Sequence, residues 1–293
     1  MKNAMPAPSL QPSPALQARG QTYRYASLKL IGRITIWAVL LLAASVRAEP
    51  VVFQSTVTPP YWSAQLPGNG LGGALLQLIS DEAGVAYSIE YLPVARYRQS
   101  VATYIVGDPD ILINQKHRAI FPVGIFHSAF FYYKPHHDVI EYHSLRDLQG
   151  HTLGVLRGTI EDKDRFVRNG VKVEESDSAE SLIRKLKRGR IDFCILVEGT
   201  GRYTIRQLFP DEQDDFVQTV IPGLDRPIAI MIDVDVPEGR DVAQRYRQVL
   251  DKTLKSQKYR DIVENFYGKN NVPADRAEQL NKFIQYYANT WGK

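Results

Sequence analysis

The chain is poor in cysteine, with one, Cys194, in 293 residues. A lone cysteine closes no internal disulfide, which excludes a disulfide-stapled scaffold. It sits in Ile191-Asp-Phe-Cys-Ile-Leu-Val197, a buried-strand pattern, where a small core hydrophobe is expected rather than a reactive thiol. Internal repeats and low-complexity tracts are also missing. Beyond Val46 no apolar run reaches the ~18 residues that read as a membrane helix. No G-x-S-x-G, P-loop or H-E-x-x-H pattern occurs, so no nucleophile–base pair can be named. What remains, 44% hydrophobic and 23% charged residues, is globular composition and excludes a disordered chain.

Acidic residues are absent from positions 1–48, which carry Lys2, Arg19, Arg24, Lys29, Arg33 and Arg47. A largely apolar stretch, 34–46, follows Arg33. Val46-Arg47-Ala48 then puts small residues at the −3 and −1 positions before Glu49. This order predicts a secretory signal peptide over 1–48, cleaved near Ala48. The apolar stretch is shorter than the ~20 residues that span a bilayer. The whole chain has 36 Lys and Arg against 32 Asp and Glu, a formal charge of +4. Removing 1–48 leaves 30 basic against 32 acidic residues, a charge of −2. Nucleic-acid binding thereby loses its compositional support. A soluble, periplasmic product is expected.

Three local patterns mimic functional sites. Gly68-Asn-Gly70-Leu-Gly72-Gly73 has G-x-G-x-x-G spacing, but a dinucleotide site needs its first Gly directly after a strand, and Gly68 lies twelve residues past Thr56. All six histidines fall between His117 and His151, with no H-x-x-x-H or C-x-x-C, so no metal or other cofactor is expected. Arg184-Lys185, Lys187-Arg188 and Arg190 lie on the polar side of an amphipathic helix and read as a solvated face.

Beyond residue 50, β-type and helix-type runs alternate. Residues 51–56 are strand-like. Apolar residues at 71, 74, 75, 78, 79 and 83 predict a helix that Gly84 stops. Residues 87–92 alternate as a strand, 94–105 read as a helix, and 111–113 as a short buried strand. This order predicts a parallel sheet with helices on its faces. A second set follows. An extended aromatic stretch spans 125–133, and Ser144 caps a turn at 144–149. Strands are expected at 152–156, 171–175 and 191–197, and helices at 161–168, 178–188 and 201–208. Strands at 217–221 and 228–234 precede three helices at 241–256, 259–267 and 275–290. No third sheet accounts for these helices, so the chain is expected to return and cover the first domain. The result is a discontinuous domain, an inserted one, and a ligand crevice at the C-terminal ends of strands.

Several motifs run in a set order. They are Thr58-Pro-Pro-Tyr-Trp62, Gly70 to Gly73, Gly107-Asp-Pro-Asp110, and Asn114-Gln-Lys-His-Arg118 followed by Phe121-Pro122. Asp147-Leu-Gln-Gly150-His-Thr-Leu-Gly154-Val-Leu-Arg-Gly158-Thr159 and Leu186-Lys-Arg-Gly189-Arg-Ile-Asp192 come next. In this order they resemble the extracellular solute-binding proteins of family 3, the type that serves amino-acid ABC transporters, over residues 51–268. Leu92-Pro-Val-Ala-Arg96 is similar to a P-x-x-R of a divergent subgroup. The resemblance implies an α/β fold of the periplasmic-binding-protein-like type II class, two α/β lobes with a ligand cleft between them. Lobe 1 would take 49–133 and 234–293, lobe 2 would take 134–233, and the hinges would lie near 133–139 and 228–234. The implied function is capture of a small anionic or zwitterionic, amino-acid-like solute by hinge closure. The protein would be a monomer and no enzyme, and would deliver to an ABC transporter permease.

The resemblance also assigns residues. Arg118 matches the family's Arg that holds the ligand α-carboxylate, which a planar guanidinium meets bidentately. Gly158 and Thr159, before a helix, would hold the same anion through N–H groups and a hydroxyl. Glu198 falls near the family's ammonium-binding Asp. Tyr61 and Trp62 would form an aromatic wall, and Asn114 stands in for the family's Thr. Arg96 and Arg157, if they face the cleft, favour a dianionic or phosphorylated ligand. Two alternatives stay open. One is an enzyme on the same fold, similar to periplasmic cyclohexadienyl dehydratase, with Glu198 as its candidate carboxylate. The other is an orphan binding or sensor lobe for a separate signalling protein.

Overall fold

Val51–Thr56 (β1) and Tyr87–Leu92 (β2) are rich in β-branched and aromatic residues and pair in parallel, Val51 opposite Tyr87 and Thr56 opposite Leu92. Between them runs Gly70–Ala83 (α1), closed by Gly84 in the left-handed conformation. The first N–H groups of α1 are satisfied from outside the helix, since Leu71 and Gly72 donate to the carbonyls of Pro60 and Tyr61 at 3.1 and 2.9 Å. The computed structural model describes residues 49–113, 117–136, 138, 142–160, 162–221 and 223–288. The expected signal peptide and Asn114 lie outside the described residues. No helix among them is long and apolar enough to cross a membrane.

The next stretch departs from expectation. The helix expected over 94–105 is only Val94–Arg98 (α2), and the third strand is Tyr104–Gly107 (β3), not 111–113. Two local causes are visible. Ser100 Oγ accepts from Ala102 N and donates to Gln54, which holds the chain in a turn. The run Thr103-Tyr-Ile-Val106 is β-branched and aromatic and pairs with a later strand. Pro109–Ile111 is a 3₁₀ turn in which the Asp108 side chain caps the Asp110 N–H.

The sequence pattern reads 125–133 as one extended stretch. The structure has two strands there, Arg118–Phe126 (β4) and Ser128–Tyr133 (β5), in different sheets. Lobe 2 continues with Thr152–Leu156 (β6), Lys163–Arg168 (α3), Lys172–Ser176 (β7), Ala179–Lys187 (α4), Phe193–Val197 (β8), Glu198–Leu208 (α5) and Phe216–Val220 (β9). Arg226–Asp233 (β10) returns to lobe 1, followed by Pro237–Leu254 (α6), Gln257–Tyr267 (α7) and Arg276–Ala288 (α8). The sheet orders are β2-β1-β3-β10-β4 and β7-β6-β8-β5-β9. In each, three parallel strands meet an antiparallel return strand, β10 in lobe 1 and β5 in lobe 2.

Lobe 1 is therefore discontinuous, with its last helices packed on the first sheet. The crossings between the sheets lie elsewhere than the expected hinges. The chain crosses between sheets at His127 and again at 221–225, because β5 and β10 are interior strands rather than linkers. The lobe 1 core packs Phe53, Leu75, Leu76 and Ile79 against Ile230, Ile232 and Tyr246, and Ser80 Oγ lies 2.6 Å from the Tyr246 hydroxyl. In lobe 2, Leu182, Ile183 and Leu186 of α4 cover Cys194. Burial pushes the Cys194 thiol pKa far up, which fits an inert core role.

Candidate functional site

A cavity of about 270 Å³ lies between the lobes. Its floor is made by strand ends. Thr56 ends β1, Gly107 and Asp108 follow from β3, Val155 and Leu156 end β6, and Ile195 to Val197 end β8. These are carboxyl ends, where the open sheet leaves a crevice between strand and connection. The walls are mostly apolar: Val94, Ile111, Phe126, Ile160, Phe166 and Leu224.

Polar groups are few. Thr56 and Thr58 face each other with hydroxyl oxygens 2.6 Å apart. Trp62 Nε1 and Thr200 Oγ1 are buried at the wall and have no hydrogen-bond partner among the described residues. Two charged residues line the cavity, Asp108 and Arg226. Arg226 Nη1 is 2.7 Å from Asp110 Oδ2, and Asp110 also accepts from the Tyr287 hydroxyl at 2.9 Å. Asp108 accepts a hydrogen bond from Asp110 N at 2.9 Å. Burial pushes its carboxyl up to about 7, against the smaller opposing pull of Arg226.

Trp62 reaches the wall because residue 72 has no side chain. A Cβ there would come within 2.3 Å of the indole ring, so only glycine lets α1 carry the ring. The G-x-G-x-x-G run is thus a packing feature.

The expected site residues separate. Trp62 and Thr159 line the cavity; Tyr61, Arg96, Arg118, Arg157, Gly158 and Glu198 do not. Tyr61 is buried against Phe126 and Phe266, with its hydroxyl at the backbone of Gly199, as a contact between lobes. Arg96 is exposed. Its neighbour Arg98 is buried, donates to Ile111 O at 3.2 Å and reaches across the cleft to Gly158 O. Arg118 opens β4 opposite Asp233, at the sheet end away from the cavity, and the β4 residue on the cavity is Phe126, eight positions on. Arg118 is buried on the same sheet face as Asp233, and burial lowers its pKa. Arg157 is half exposed and paired with Asp177 at 2.7 Å and Glu175 at 3.4 Å.

Gly158 and Thr159 do not adjoin a helix. α3 starts at Lys163, and Asp162 already caps it by accepting from Arg165 N. Glu198 heads α5 with its carboxylate on Gln218 at 2.5 Å and Arg202 at 3.4 Å.

Asp108, Thr200 and Arg226 were missed. Asp108 stood inside the Gly107-Asp-Pro-Asp110 motif, but its burial depends on helices far away in sequence. Arg226 could not be placed before the true hinge was known. Arg98 lies two residues beyond Arg96, and helix phase decided which of them turns inward. No group of three or more His, Cys, Asp or Glu able to hold a metal occurs among the described residues.

Comparison with protein-family profiles and with curated protein sequences gives no match. Solved structures do match. A mutant of ArgBP from T. maritima is 22% identical, with 74% of this chain and 94% of that chain covered, at TM-score 0.56. ArtJ from Geobacillus stearothermophilus, an arginine-, lysine-, histidine-binding protein, is 15% identical over 80% of this chain and all of that one, at 0.58. An ABC uptake transporter substrate-binding protein from Streptococcus pneumoniae with bound histidine is 14% identical over 77% and 94%, at 0.59. This chain has the type II periplasmic-binding-protein fold. In that fold two lobes face each other across a cleft, and here the cleft is the cavity floored by β1, β3, β6 and β8.

Proposed function

We propose that the protein is a solute-binding protein that holds a small organic molecule of amino-acid size between its lobes. The observation that carries this reading is the cavity itself, enclosed by the strand ends of two lobes that only two crossovers join. Its volume sits near the lower end of the ~300–1,000 Å³ of small-molecule sites. Hinge motion at His127 and 221–225 would admit the ligand, and closure would bury it. Closure follows loading only if the closed form binds ligand better. The same reading gives an exported, periplasmic protein that presents loaded lobes to an ABC transporter permease. Arg96, Arg118 and Arg157, the cations expected to favour an anionic ligand, are not among the residues that line the cavity.

A thermal-shift screen of the protein lacking residues 1–48 tests this, using amino acids, amines and monocarboxylates. A ligand at a hundred times its Kd adds about 2.7 kcal/mol. That corresponds to roughly 5–10 °C at 2–4 °C per kcal/mol for a chain of this size. Leu156→Trp, which fills the cavity, should abolish the shift. A shift that survives Leu156→Trp places binding elsewhere and refutes the reading.

A further inference from the structure

The charges on the cavity wall are unequal in what they leave open. Arg226 is neutralised by Asp110 at 2.7 Å. Asp108 accepts one backbone N–H and forms no ion pair among the described residues. The other charged or titratable group on the wall is Tyr97, buried with its hydroxyl donating to Val106 O at 3.3 Å. The cavity therefore presents a carboxylate in an apolar enclosure that has no ion-pair partner among the described residues and is offset only in part by Arg226. A carboxylate held away from water and without a counter-ion is costly, and a cation supplied from outside removes that cost. A ligand carboxylate would instead add a second negative charge beside it. The remaining unmatched groups, Trp62 Nε1 and Thr200 Oγ1, call for an uncharged acceptor and need no further charge.

We propose that the cavity selects a small organic cation, an apolar body bearing one protonated amine, with Asp108 as the residue that sets this specificity. The inference rests on the reading of the cavity as the solute site. The amine pairs with the Asp108 carboxylate while the apolar body lies against Val94, Ile111 and Phe126. Near neutral pH Asp108 is partly protonated in the empty protein, so amine binding releases part of a proton as the carboxylate forms. Arg226, Asp110, Tyr97 and Tyr287 are the charged and titratable groups around it.

Calorimetric titration with three probes of one shape tests the inference: phenethylamine, phenylalanine and 3-phenylpropionate. Wild type should bind phenethylamine at least tenfold more tightly than 3-phenylpropionate, and Asp108→Asn should erase that preference. Tighter binding of 3-phenylpropionate or phenylalanine overturns the inference. So does an Asp108→Asn protein that keeps its amine affinity, or a wild type that binds no phenethylamine. A Leu156→Trp control separates the two levels. If it abolishes binding of whichever probe is preferred, the solute site stands and only the amine preference falls. If binding survives it, the solute site falls as well.

Discussion

Asp108→Asn is the most informative single substitution for stability. The side chain is partly buried beside the cavity, and its carboxyl is pushed from an ordinary 3.8 up to about 7. The raised value means that the folded state holds the proton more strongly than the unfolded chain does. Stability from this group is fully present below pH ~4 and is lost as pH rises through 7. A shift of this size corresponds to about 4 kcal/mol lost at alkaline pH, of which about 2.6 kcal/mol falls between pH 5 and 8. Solvent reaches part of the side chain and screens the effect, so about 2 kcal/mol over that interval is the working figure. Asn has the same shape and can still accept from Asp110 N, but it does not titrate. Urea denaturation of both proteins at pH 5, 6, 7 and 8 gives the comparison. The variant should gain on wild type steadily with pH, reaching a lead about 2 kcal/mol greater at pH 8 than at pH 5. A difference that stays flat across the four pH values would show that Asp108 titrates normally, and the argument from its burial would fail.

Three further outcomes follow from the lobe contacts and the core. Gly199→Ala puts a methyl group where the Tyr61 hydroxyl lies, 2.6 Å away, and should hold the lobes apart. Ligand affinity should drop at least tenfold and the radius of gyration in solution scattering should rise, with the melting temperature little changed. Arg118→Met separates the sequence resemblance from the geometry. If Arg118 is the cation facing Asp233, affinity is kept and stability falls by about 3 kcal/mol, whereas lost affinity at unchanged stability would return Arg118 to the site. His127→Ala removes the 2.6 Å contact to Asp225 that ties the two crossovers together. It should cost about 1–3 kcal/mol in chemical denaturation and loosen the hinge, read as faster proteolysis at 221–225.

The amphipathic stretches were legible because their periodicity is local. The Gly84 stop and the Ser144 cap stand where the pattern puts them. So does the tandem of two α/β units with a returning helical tail, since three helices without a sheet must cover one already made. Two kinds of information were absent from the residue order. The first is partnership between strands. Residues 125–133 look like one extended aromatic run, and nothing local says that Phe126 pairs with Arg226 while Phe131 pairs with Cys194. Hydrogen bonding to strands 63 and 100 residues away made that choice and put the crossing between sheets at His127. The second is which charges are buried and which are matched. Arg157 and Glu198 have the right chemistry for a ligand, yet neighbouring acids and amides hold them elsewhere, and register puts Arg118 at the far end of β4 opposite Asp233. Asp108, inconspicuous in its turn, is raised to about 7 because burial desolvates it and the pull of Arg226 offsets that only in part. Composition and periodicity determined two α/β units; only the folded arrangement decided that Asp108 and Arg226 line the cavity while Arg96, Arg118 and Arg157 do not.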